Sequence, residues 1–420
     1  MKMKWCLATF AIVLAAGRVA GAEEDWTAFR GPDGSGHSNA TELPREWSET
    51  KNLTWKAEIH GRGWSSPVVL GNQVWLTTAT PDGTKLSVLA LDREDGSVIF
   101  DKVIFDVPEP EDTRQYNSYA SPSPVVEDGR AYLHFGSYGT AGLDTKTGAV
   151  LWTRQDLPCN HWRGPGSSPI LHGDLLIIQF DGYDHQYAVA LNKKTGDTVW
   201  KADRTHDFGT DDGDQMKGFA TPIVIEADGR AQLISPAAKA VVSLDPLTGR
   251  ELWRVRYEQH SPAARPLFAH GLVYVTTGYG KAELLAIRPD GDGDVTDTHV
   301  VWRALEGIGR KPSPVLVDDL VYSVSDSAGI VTCLDARTGA QVWQHRVEGS
   351  AHSASPLFAD GALYFFAESG AALAVKPGRE YQELGRAQIA DDGVMATPAI
   401  AGHSIFLRAE SHLYRLDKKP

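Results

Sequence analysis

The chain has 420 residues, of which 42% are hydrophobic and 9% aromatic, and it contains 41 glycines and 23 prolines. This apolar content suffices for a large buried core, and the many glycines and prolines predict frequent turns instead of long helices. The formal net charge of −13 at pH 7 disfavours non-specific binding to nucleic acid, so nucleic acid is not an expected partner.

Residues 1–22 have the features of a secretory signal peptide. Two lysines precede an apolar run at 5–16, and small residues at 20–22 form a candidate cleavage site. The apolar run is too short to span a bilayer, and no later stretch approaches the length that is needed. A lipoprotein needs a cysteine at the cleavage point, whereas Cys6 lies ahead of this position. We therefore predict a periplasmic or secreted protein that begins near Glu23, without a membrane span or a lipid anchor.

Residues 23–52 are predicted to form an extended N-terminal segment, and repeating units fill the chain from 53 to 420. In one unit, Ser-Ser-Pro at 65–67 precedes four runs that are rich in β-branched or aromatic residues: VVL, QVWLTTA, SVLALD and SVIF. Turns that contain Gly or Asp separate these runs. This pattern is typical of a four-stranded antiparallel meander. The proline recurs eight times at intervals of 42 to 57 residues, at Pro67, Pro124, Pro169, Pro222, Pro266, Pro314, Pro356 and Pro398. This spacing predicts the blades of a β-propeller.

A turn of constant type follows the third run of most units, at 91–96, 143–148, 191–196, 244–249 and 334–339. An Asp or Asn side chain caps this turn, and Gly occupies its left-handed position. The fourth run then carries a tryptophan, at Trp152, Trp200, Trp253, Trp302 or Trp343. A large ring on an outer strand is expected to pack between neighbouring blades, which assigns these tryptophans to the core and not to a ligand site.

The two ends of the repeat region are complementary. The eighth unit has TPAIAG, SIFLRAE and HLYRLD but no fourth run, whereas LTWKAEI at 53–59 matches the fourth runs of the other units. Pairing this N-terminal strand with the last blade would remove the free sheet edges. The predicted fold is therefore all-β, an eight-bladed β-propeller of four-stranded antiparallel blades that the N-terminal strand closes, with 53–420 as a single domain.

The motif L-D-x-x-T-G-x-x-x-W at 143–152, 244–253 and 334–343 resembles the PQQ-like repeat, named after the pyrroloquinoline quinone dehydrogenases. The resemblance covers roughly residues 53–420. It implies either a quinone-dependent dehydrogenase or a non-enzymatic propeller similar to the outer-membrane assembly lipoprotein BamB. The stretch WTAFRGPDGSGHS at 26–38 also resembles a segment that precedes such propellers in exported bacterial proteins of unassigned role.

The chain departs from both patterns. The dehydrogenases hold their quinone against a disulfide of adjacent cysteines, and this sequence has neither a Cys-Cys pair nor a Cys-x-x-Cys-His haem site. BamB-like proteins are lipidated, and no lipid anchor is predicted here. Whether Cys159 and Cys333 form a disulfide stays open at this point.

Candidate site residues lie in the loops that lead into the first strand of each blade, because these loops run over one face to the central channel. The six positions before each anchor proline contain six cations and, at Asp392, one acid; the cations are Arg62, Arg163, Lys217, Arg265, Arg310 and Lys311. Tyr119, Phe219, His260 and His161 lie nearby. The ligand-binding hypothesis names Arg62, Trp64, Asn117, Trp162, Arg163, Lys217, Arg310, Lys311 and His352. Such a basic, aromatic channel mouth would suit a small anionic ligand or an acidic peptide. The alternative is a polar mouth whose charges are merely solvated.

Alternate carboxylates at Asp290, Asp292 and Asp294, with Asp297 nearby, are a candidate calcium loop, because calcium prefers oxygen ligands. Val295 stands where an EF-hand loop has Gly, so an acidic hairpin turn is the alternative. The cluster at 211–214 is interpreted as a solvated loop tip. No metal-binding histidine motif and no catalytic constellation is recognised.

These observations favour an exported, non-enzymatic and monomeric propeller scaffold that binds a small anionic ligand or a protein or peptide partner through the basic mouth, without a cofactor. One alternative is a PQQ-dependent oxidoreductase, which would require PQQ and calcium. Another is a BamB-like envelope assembly or sensing protein that recruits peptides to an outer strand by β-augmentation.

Overall fold

The computed structural model describes residues 25–113, 116–347, 351–389 and 393–419. The predicted signal peptide at 1–22 and Asp392 lie outside the described residues. Within these ranges the chain folds into eight sheets, and each sheet is one blade of four antiparallel strands, which follow chain order in the first seven blades. The fourth blade gains a short fifth strand from the next blade. No helix in the described ranges is both long enough and apolar enough to cross a bilayer.

Strand β1 (Leu53–Glu58) precedes the first complete blade. Blade 1 consists of β2 (Val68–Leu70), β3 (Gln73–Ala79), β4 (Lys85–Asp92) and β5 (Val98–Asp106), and blade 2 consists of β6 (Val125–Glu127), β7 (Arg130–His134), β8 (Thr140–Asp144) and β9 (Val150–Arg154). Blade 3 consists of β10 (Ile170–His172), β11 (Leu175–Asp181), β12 (Gln186–Asn192) and β13 (Thr198–Asp203). Blade 4 consists of β14 (Ile223–Ala227), β15 (Arg230–Ala237), β16 (Ala240–Leu244) and β17 (Glu251–Arg256). A 3-10 turn at Gly213–Gln215 lies between blades 3 and 4.

Blade 5 consists of β18 (Leu267–Ala269), β19 (Leu272–Thr276), β20 (Leu284–Ile287) and β22 (Val300–Ala304), and blade 6 consists of β23 (Val315–Val317), β24 (Leu320–Val324), β25 (Ile330–Asp335) and β26 (Gln341–Arg346). Blade 7 consists of β27 (Leu357–Ala359), β28 (Ala362–Phe366), β29 (Ala371–Val375) and β30 (Glu383–Gln388). Blade 8 consists of β31 (Ala399–Ala401), β32 (Ser404–Arg408), β33 (His412–Asp417) and β1. An insertion in blade 5 forms β21 (Gly293–Asp294), which pairs with β17 of blade 4, and the one-turn helix α1 (Thr296–His299).

The N-terminal strand closes the ring. Strand β1 pairs antiparallel with β33, from Leu53 opposite Leu416 to Glu58 opposite His412. It thereby supplies the fourth strand that the eighth unit lacks. The predicted eight-bladed propeller and its closure by the N-terminal strand are confirmed.

Burial follows the position of each strand within its blade. The second strands, such as β3 and β11, are buried along almost their whole length, because both faces of a blade pack against neighbouring blades. Outer strands such as β13 bury few side chains, since they lie at the rim. The continuous apolar runs of the sequence and the more polar fourth runs reflect this difference.

Most tryptophans of the outer strands dock onto the turn of the next blade, whereas the Nε1 of Trp253 donates to Gln232 Oε1 in its own blade. The Nε1 of Trp152 donates to the carbonyl of Lys193 at 3.1 Å, and the Nε1 of Trp302 donates to that of Ala336 at 3.0 Å. The glycine of the same turn lies beneath the ring, as Gly196 lies beneath Trp152. Four of the five predicted tryptophans are buried, and Trp343 is half-buried, so the core assignment is confirmed.

The residues before the anchor prolines form a second link between blades. The backbone N–H of one such residue donates to the side-chain hydroxyl of the corresponding residue in the next blade. Six of these bonds, each 2.9 Å long, run from donor to acceptor as follows: Ser66 to Ser123, Ser123 to Ser168, Ser168 to Thr221, Arg265 to Ser313, Ser313 to Ser355 and Ser355 to Thr397. We call this set the hydroxyl ring. Blade 5 departs from it, because Arg265 has no hydroxyl.

The meander defines two faces. The loops that lead into the first strands and the loops between second and third strands lie on one face, which we call the mouth face. The turns between first and second strands and between third and fourth strands lie on the other, which we call the turn face. Both names follow from the antiparallel order of each blade.

Candidate functional site: the channel and the mouth face

The N-terminal segment 26–38 fills the central channel. Trp26 pairs with Val69 of β2, and the N–H of Val126 in β6 donates to the carbonyl of Thr27 at 2.9 Å. In blade 7, two blades from blade 1, His37 pairs with Phe358 of β27. A segment that contacts the innermost strands of blades 1, 2 and 7 must cross the space between them. We call residues 26–38 the plug.

The plug enters and leaves the channel at the turn face. The N–H of Gly71, in the first turn of blade 1, donates to Asp25 Oδ1 at 2.8 Å. Further along, the N–H of Leu43 donates to Asp360 Oδ2 in the corresponding turn of blade 7. The tip between these points reaches the level of the hydroxyl ring, where Asp33 is exposed.

Two buried arginines hold the tip of the plug. Arg30 donates to the carbonyls of Pro314 at 2.8 Å and Pro356 at 3.1 Å. Arg265 donates to the carbonyl of Phe29 at 2.5 Å. Burial and the neighbouring Arg265 lower the pKa of Arg30 to about 9, so that it remains charged at neutral pH.

Four of the predicted mouth cations lie on the mouth face and are paired with acids. Arg163 lies 3.4 Å from Asp214, and the buried Lys217 contacts the same carboxylate. Burial lowers the pKa of Lys217. Arg310 lies 2.6 Å from Asp326, and this hydrogen-bonded partner raises the pKa of Arg310. Lys311 lies 3.1 Å from Glu368 and 2.7 Å from the Ser353 hydroxyl.

The acids that pair with these cations lie outside the six positions before each anchor proline. Asp326 and Glu368 lie in the loops between the second and third strands of blades 6 and 7, and Asp214 lies at the 3-10 turn. The predicted strand order could have identified Asp326 and Glu368, because in an antiparallel meander the loops between second and third strands reach the same face as the loops before the first strands. The mouth face therefore combines both charges.

The other predicted residues have structural contacts. The Arg62 guanidinium lies over the Trp64 ring, 5.0 Å from its centroid. Asn117 Nδ2 donates to the Pro165 carbonyl, and its Oδ1 accepts the N–H of Ser118.

His352 is only 2% exposed. Burial lowers its pKa to about 4, so the imidazole is neutral at pH 7. The backbone N–H of His352 donates to the carbonyl of Asp326, which places this residue beside the Arg310–Asp326 pair.

Exposed aromatic rings form the most distinctive part of the mouth face. Trp162 is 40% exposed and packs on Tyr183, which is 41% exposed, with ring centroids 5.4 Å apart. Tyr279 is 58% exposed and lies between His260 and the Arg310 guanidinium, at 5.5 Å from each. We call Trp162, Tyr183 and Tyr279 the aromatic row. Both tyrosines lie in the loops between second and third strands and are absent from the predicted site residues.

The backbone of Trp162 adopts φ 60°, which is rare for a bulky residue. Its N–H donates to Asn160 Oδ1 at 2.8 Å, and the N–H of Arg163 donates to the carbonyl of His161 at 2.6 Å. These bonds hold the ring at the surface. Strain of this kind is commonly retained at binding sites.

Hydrogen bonds join the mouth-face loops of consecutive blades. The N–H of Ser261 donates to the carbonyl of Lys217, and the N–H of Tyr279 donates to that of His260. Together with the ion pairs, they link Arg163 to Arg310 along blades 3 to 6. Arg163, Lys217 and Arg310 are thus joined to Tyr279 by a continuous run of contacts.

The acidic cluster of blade 5 has partners of its own. Asp290 lies 3.3 Å from His299, whereas Asp294 lies 2.8 Å from Arg256 and accepts the hydroxyl of Thr296 at 2.6 Å. In the part of the chain that the structure describes, no three His, Cys, Asp or Glu side chains are grouped so that they could hold a metal ion. Calcium at Asp290, Asp292 and Asp294 stays a prediction without structural support.

Cys159 and Cys333 are both buried and free, which resolves the open question of a disulfide. Cys159 Sγ lies 3.7 Å from His161 Nδ1, but His161 Nε2 accepts the N–H of Ser137. Because Nε2 is an acceptor, the ring proton is on Nδ1 and faces the sulfur. Burial raises the pKa of the Cys159 thiol, so this pair is not an activated nucleophile.

Comparison with known proteins supports the fold. Residues 106–235 and 184–420 match the model of the family described as outer membrane protein assembly factor BamB. No curated protein sequence matches the chain. The solved structure of BamB from Moraxella catarrhalis is similar over 87% of this chain and 97% of its own, with 14% identity and a TM-score of 0.62.

Two dehydrogenases of known structure have a similar fold. Quinohemoprotein alcohol dehydrogenase from Comamonas testosteroni is similar over 94% of this chain and 81% of its own, with 12% identity and a TM-score of 0.67. A europium-containing methanol dehydrogenase is similar over 92% and 90%, with 13% identity and a TM-score of 0.51. At these identities the likeness shows the fold alone.

Proposed function

Because this chain belongs to the family described as outer membrane protein assembly factor BamB, we propose that it is a non-enzymatic scaffold that binds a protein or peptide partner through its mouth face. The observation that carries this proposal is the aromatic row of Trp162, Tyr183 and Tyr279 beside Arg163 and Arg310. Trp, Tyr and Arg are the residues that dominate binding energy at the centres of protein interfaces.

The charges of the mouth favour a protein partner over a small anion. Arg163, Lys217 and Arg310 already face carboxylates, so an anion would have to displace Asp214 or Asp326. A protein surface of mixed charge can instead complement both signs at once. The small anionic ligand remains the alternative.

A quinone cofactor does not fit the residues that line the channel. The plug occupies the space between the inner strands, and Arg30 and Arg265 donate to backbone carbonyls there. Both ends of the amide of Asn117 are bonded to the backbone. No step through PQQ is therefore derived.

Binding by β-augmentation is less favoured than binding by the loops. A peptide would have to add to an outer strand, and the chain itself already covers two of these. Strand β21 pairs with β17, and the N–H of Gln388 in β30 donates to the carbonyl of Trp47. The proposed partner instead meets the loops of blades 3 to 6. The signal peptide predicted at 1–22 would bring the protein to the cell envelope, where such a partner would be found.

The proposal is tested by site-specific photocrosslinking in the cells that make the protein. A photoreactive amino acid at Tyr183 or Tyr279 should give an adduct of defined mass. Trp162→Ala should reduce its yield by about tenfold or more, because the loss of one interface aromatic costs about 2 kcal/mol or more. Leu247, which is 62% exposed on the turn face, is the matched control position. Equal adducts at Leu247, or none on the mouth face, would contradict the proposal.

A further inference from the structure

The inner strands of the blades offer a backbone edge to the channel, and the plug uses this edge as an added strand would. The N–H groups of Trp26 and Val69 each donate to the carbonyl of the other, at 2.9 and 2.8 Å. In blade 7, the N–H of Ser38 donates to the carbonyl of Phe358, and the N–H of Phe358 donates to that of Gly36, at 2.9 and 2.8 Å. Reciprocal main-chain bonds of this kind are how sheet edges bind extended peptides.

Side chains add selectivity to these main-chain bonds. Arg30 meets the carbonyls of Pro314 and Pro356, and His37 Nε2 lies 2.6 Å from the carbonyl of Leu316. This wall of the channel consists of backbone acceptors, so it selects a donor. A guanidinium supplies several donors at fixed angles.

The blades depart from the repeat at Arg265, which contacts the plug tip. Arg265 stands where the neighbouring blades carry the Ser or Thr of the hydroxyl ring, and its guanidinium meets the carbonyl of Phe29 instead. A Cβ at Gly34 would overlap the Arg265 guanidinium, and a Cβ at Gly36 would overlap that of Arg30. The glycines of the plug and the arginine of blade 5 are therefore complementary.

We infer that the central channel is a peptide-binding site, and that residues 26–38 are its ligand, bound within the same chain. The ligand class is a glycine-rich peptide with one arginine that reaches carbonyl groups of blades 6 and 7. This site is separate from the mouth face and does not depend on the partner proposed there.

The first experiment measures hydrogen exchange in the full-length protein. Arg265→Ser removes the bond to Phe29 and restores a hydroxyl to the ring. We expect exchange at the amides of Trp26, Gly36 and Ser38 to rise by about tenfold or more, while amides of β11 and β12 keep their rates, because local opening governs exchange. Arg254→Ser is the matched control, since Arg254 pairs with Glu251 on an outer strand. Unchanged exchange of the plug in Arg265→Ser would overturn the assignment.

The second experiment supplies the ligand in trans. A labelled synthetic peptide of residues 25–38 is titrated into full-length Arg30→Ala protein, whose own plug lacks the guanidinium. We expect this peptide to bind, the same peptide with Arg30→Ala to bind at least about tenfold more weakly, and the wild-type protein to bind neither. If Arg30→Ala does not fold, Arg30→Gln protein, whose plug also lacks the guanidinium, takes its place. Equal binding of the two peptides, or no binding to the variant, would overturn the inference.

Discussion

At the scale of single residues, a glycine in one blade and a tryptophan in the preceding blade form one packing unit. Gly196 has φ +79°, and a Cβ there would lie 2.7 Å from the Trp152 ring. The turn needs the left-handed conformation, and the ring needs the space. The same glycine therefore satisfies both the backbone conformation of its own turn and the packing of the tryptophan from the preceding blade.

We expect Gly196→Ala to lower the free energy of unfolding by about 2 to 4 kcal/mol, from backbone strain of about 1 kcal/mol and overpacking of about 1 to 3 kcal/mol. Gly129→Ala isolates the strain, because Gly129 has φ +76° and no atom within 4 Å of its Cβ position. Urea denaturation of both variants measures the difference. An equal loss in the two would show that the tryptophan contact contributes nothing.

At the scale of elements, the hydroxyl ring ties the first strand of one blade to that of the next. Ser313 is the acceptor for the N–H of Arg265, at the blade that also holds the plug. The hydroxyl ring is buried, so the loss of one acceptor leaves a backbone N–H group that can hydrogen-bond neither to the protein nor to water.

Ser313→Ala should therefore cost about 1 to 3 kcal/mol of stability. Thermal and urea unfolding measure this cost. Ser327→Ala, at an exposed serine of blade 6, provides the comparison and should change stability by less than about 0.5 kcal/mol. A Ser313→Ala protein as stable as wild type would argue against a structural role of the ring.

At the scale of the whole molecule, burial between blades keeps several histidines neutral. Burial lowers the pKa of His134 to about 3 and the pKa of His161 and His352 to about 4, below the ordinary value of 6.5. Between these values the unfolded chain binds protons that the folded protein does not. Stability is therefore full above about pH 6.5 and is lost as the pH falls towards 4.

His134 offers a direct test, because its Nδ1 bonds to the Thr140 hydroxyl at 2.9 Å and a Gln amide could replace that bond. His134→Gln should reduce the slope of unfolding free energy against pH by about 1.4 kcal/mol per unit between about pH 6 and 4. Urea unfolding at a series of pH values gives the slopes. If variant and wild type have the same slope, the titration of His134 does not contribute to acid sensitivity.

The blade count, the closure by residues 53–59 and the burial of Trp152 and its equivalents were predictable from the sequence by itself. They depend on patterns that repeat along the chain, such as the anchor proline, the Asp-Gly turn and the missing fourth run. Local hydrogen bonding and side-chain periodicity determine such patterns, so they are readable without coordinates.

Only the tertiary structure decided what occupies the channel and what neutralises its mouth. The contact of Arg30 with Pro314 joins residues 284 positions apart, and the pairing of Lys311 with Glu368 joins two blades. Arg163, Lys217, Arg310 and Lys311 precede anchor prolines, but the acids that pair with them lie in other loops of the chain. Such contacts depend on how the blades pack around the ring, and no local pattern encodes that arrangement.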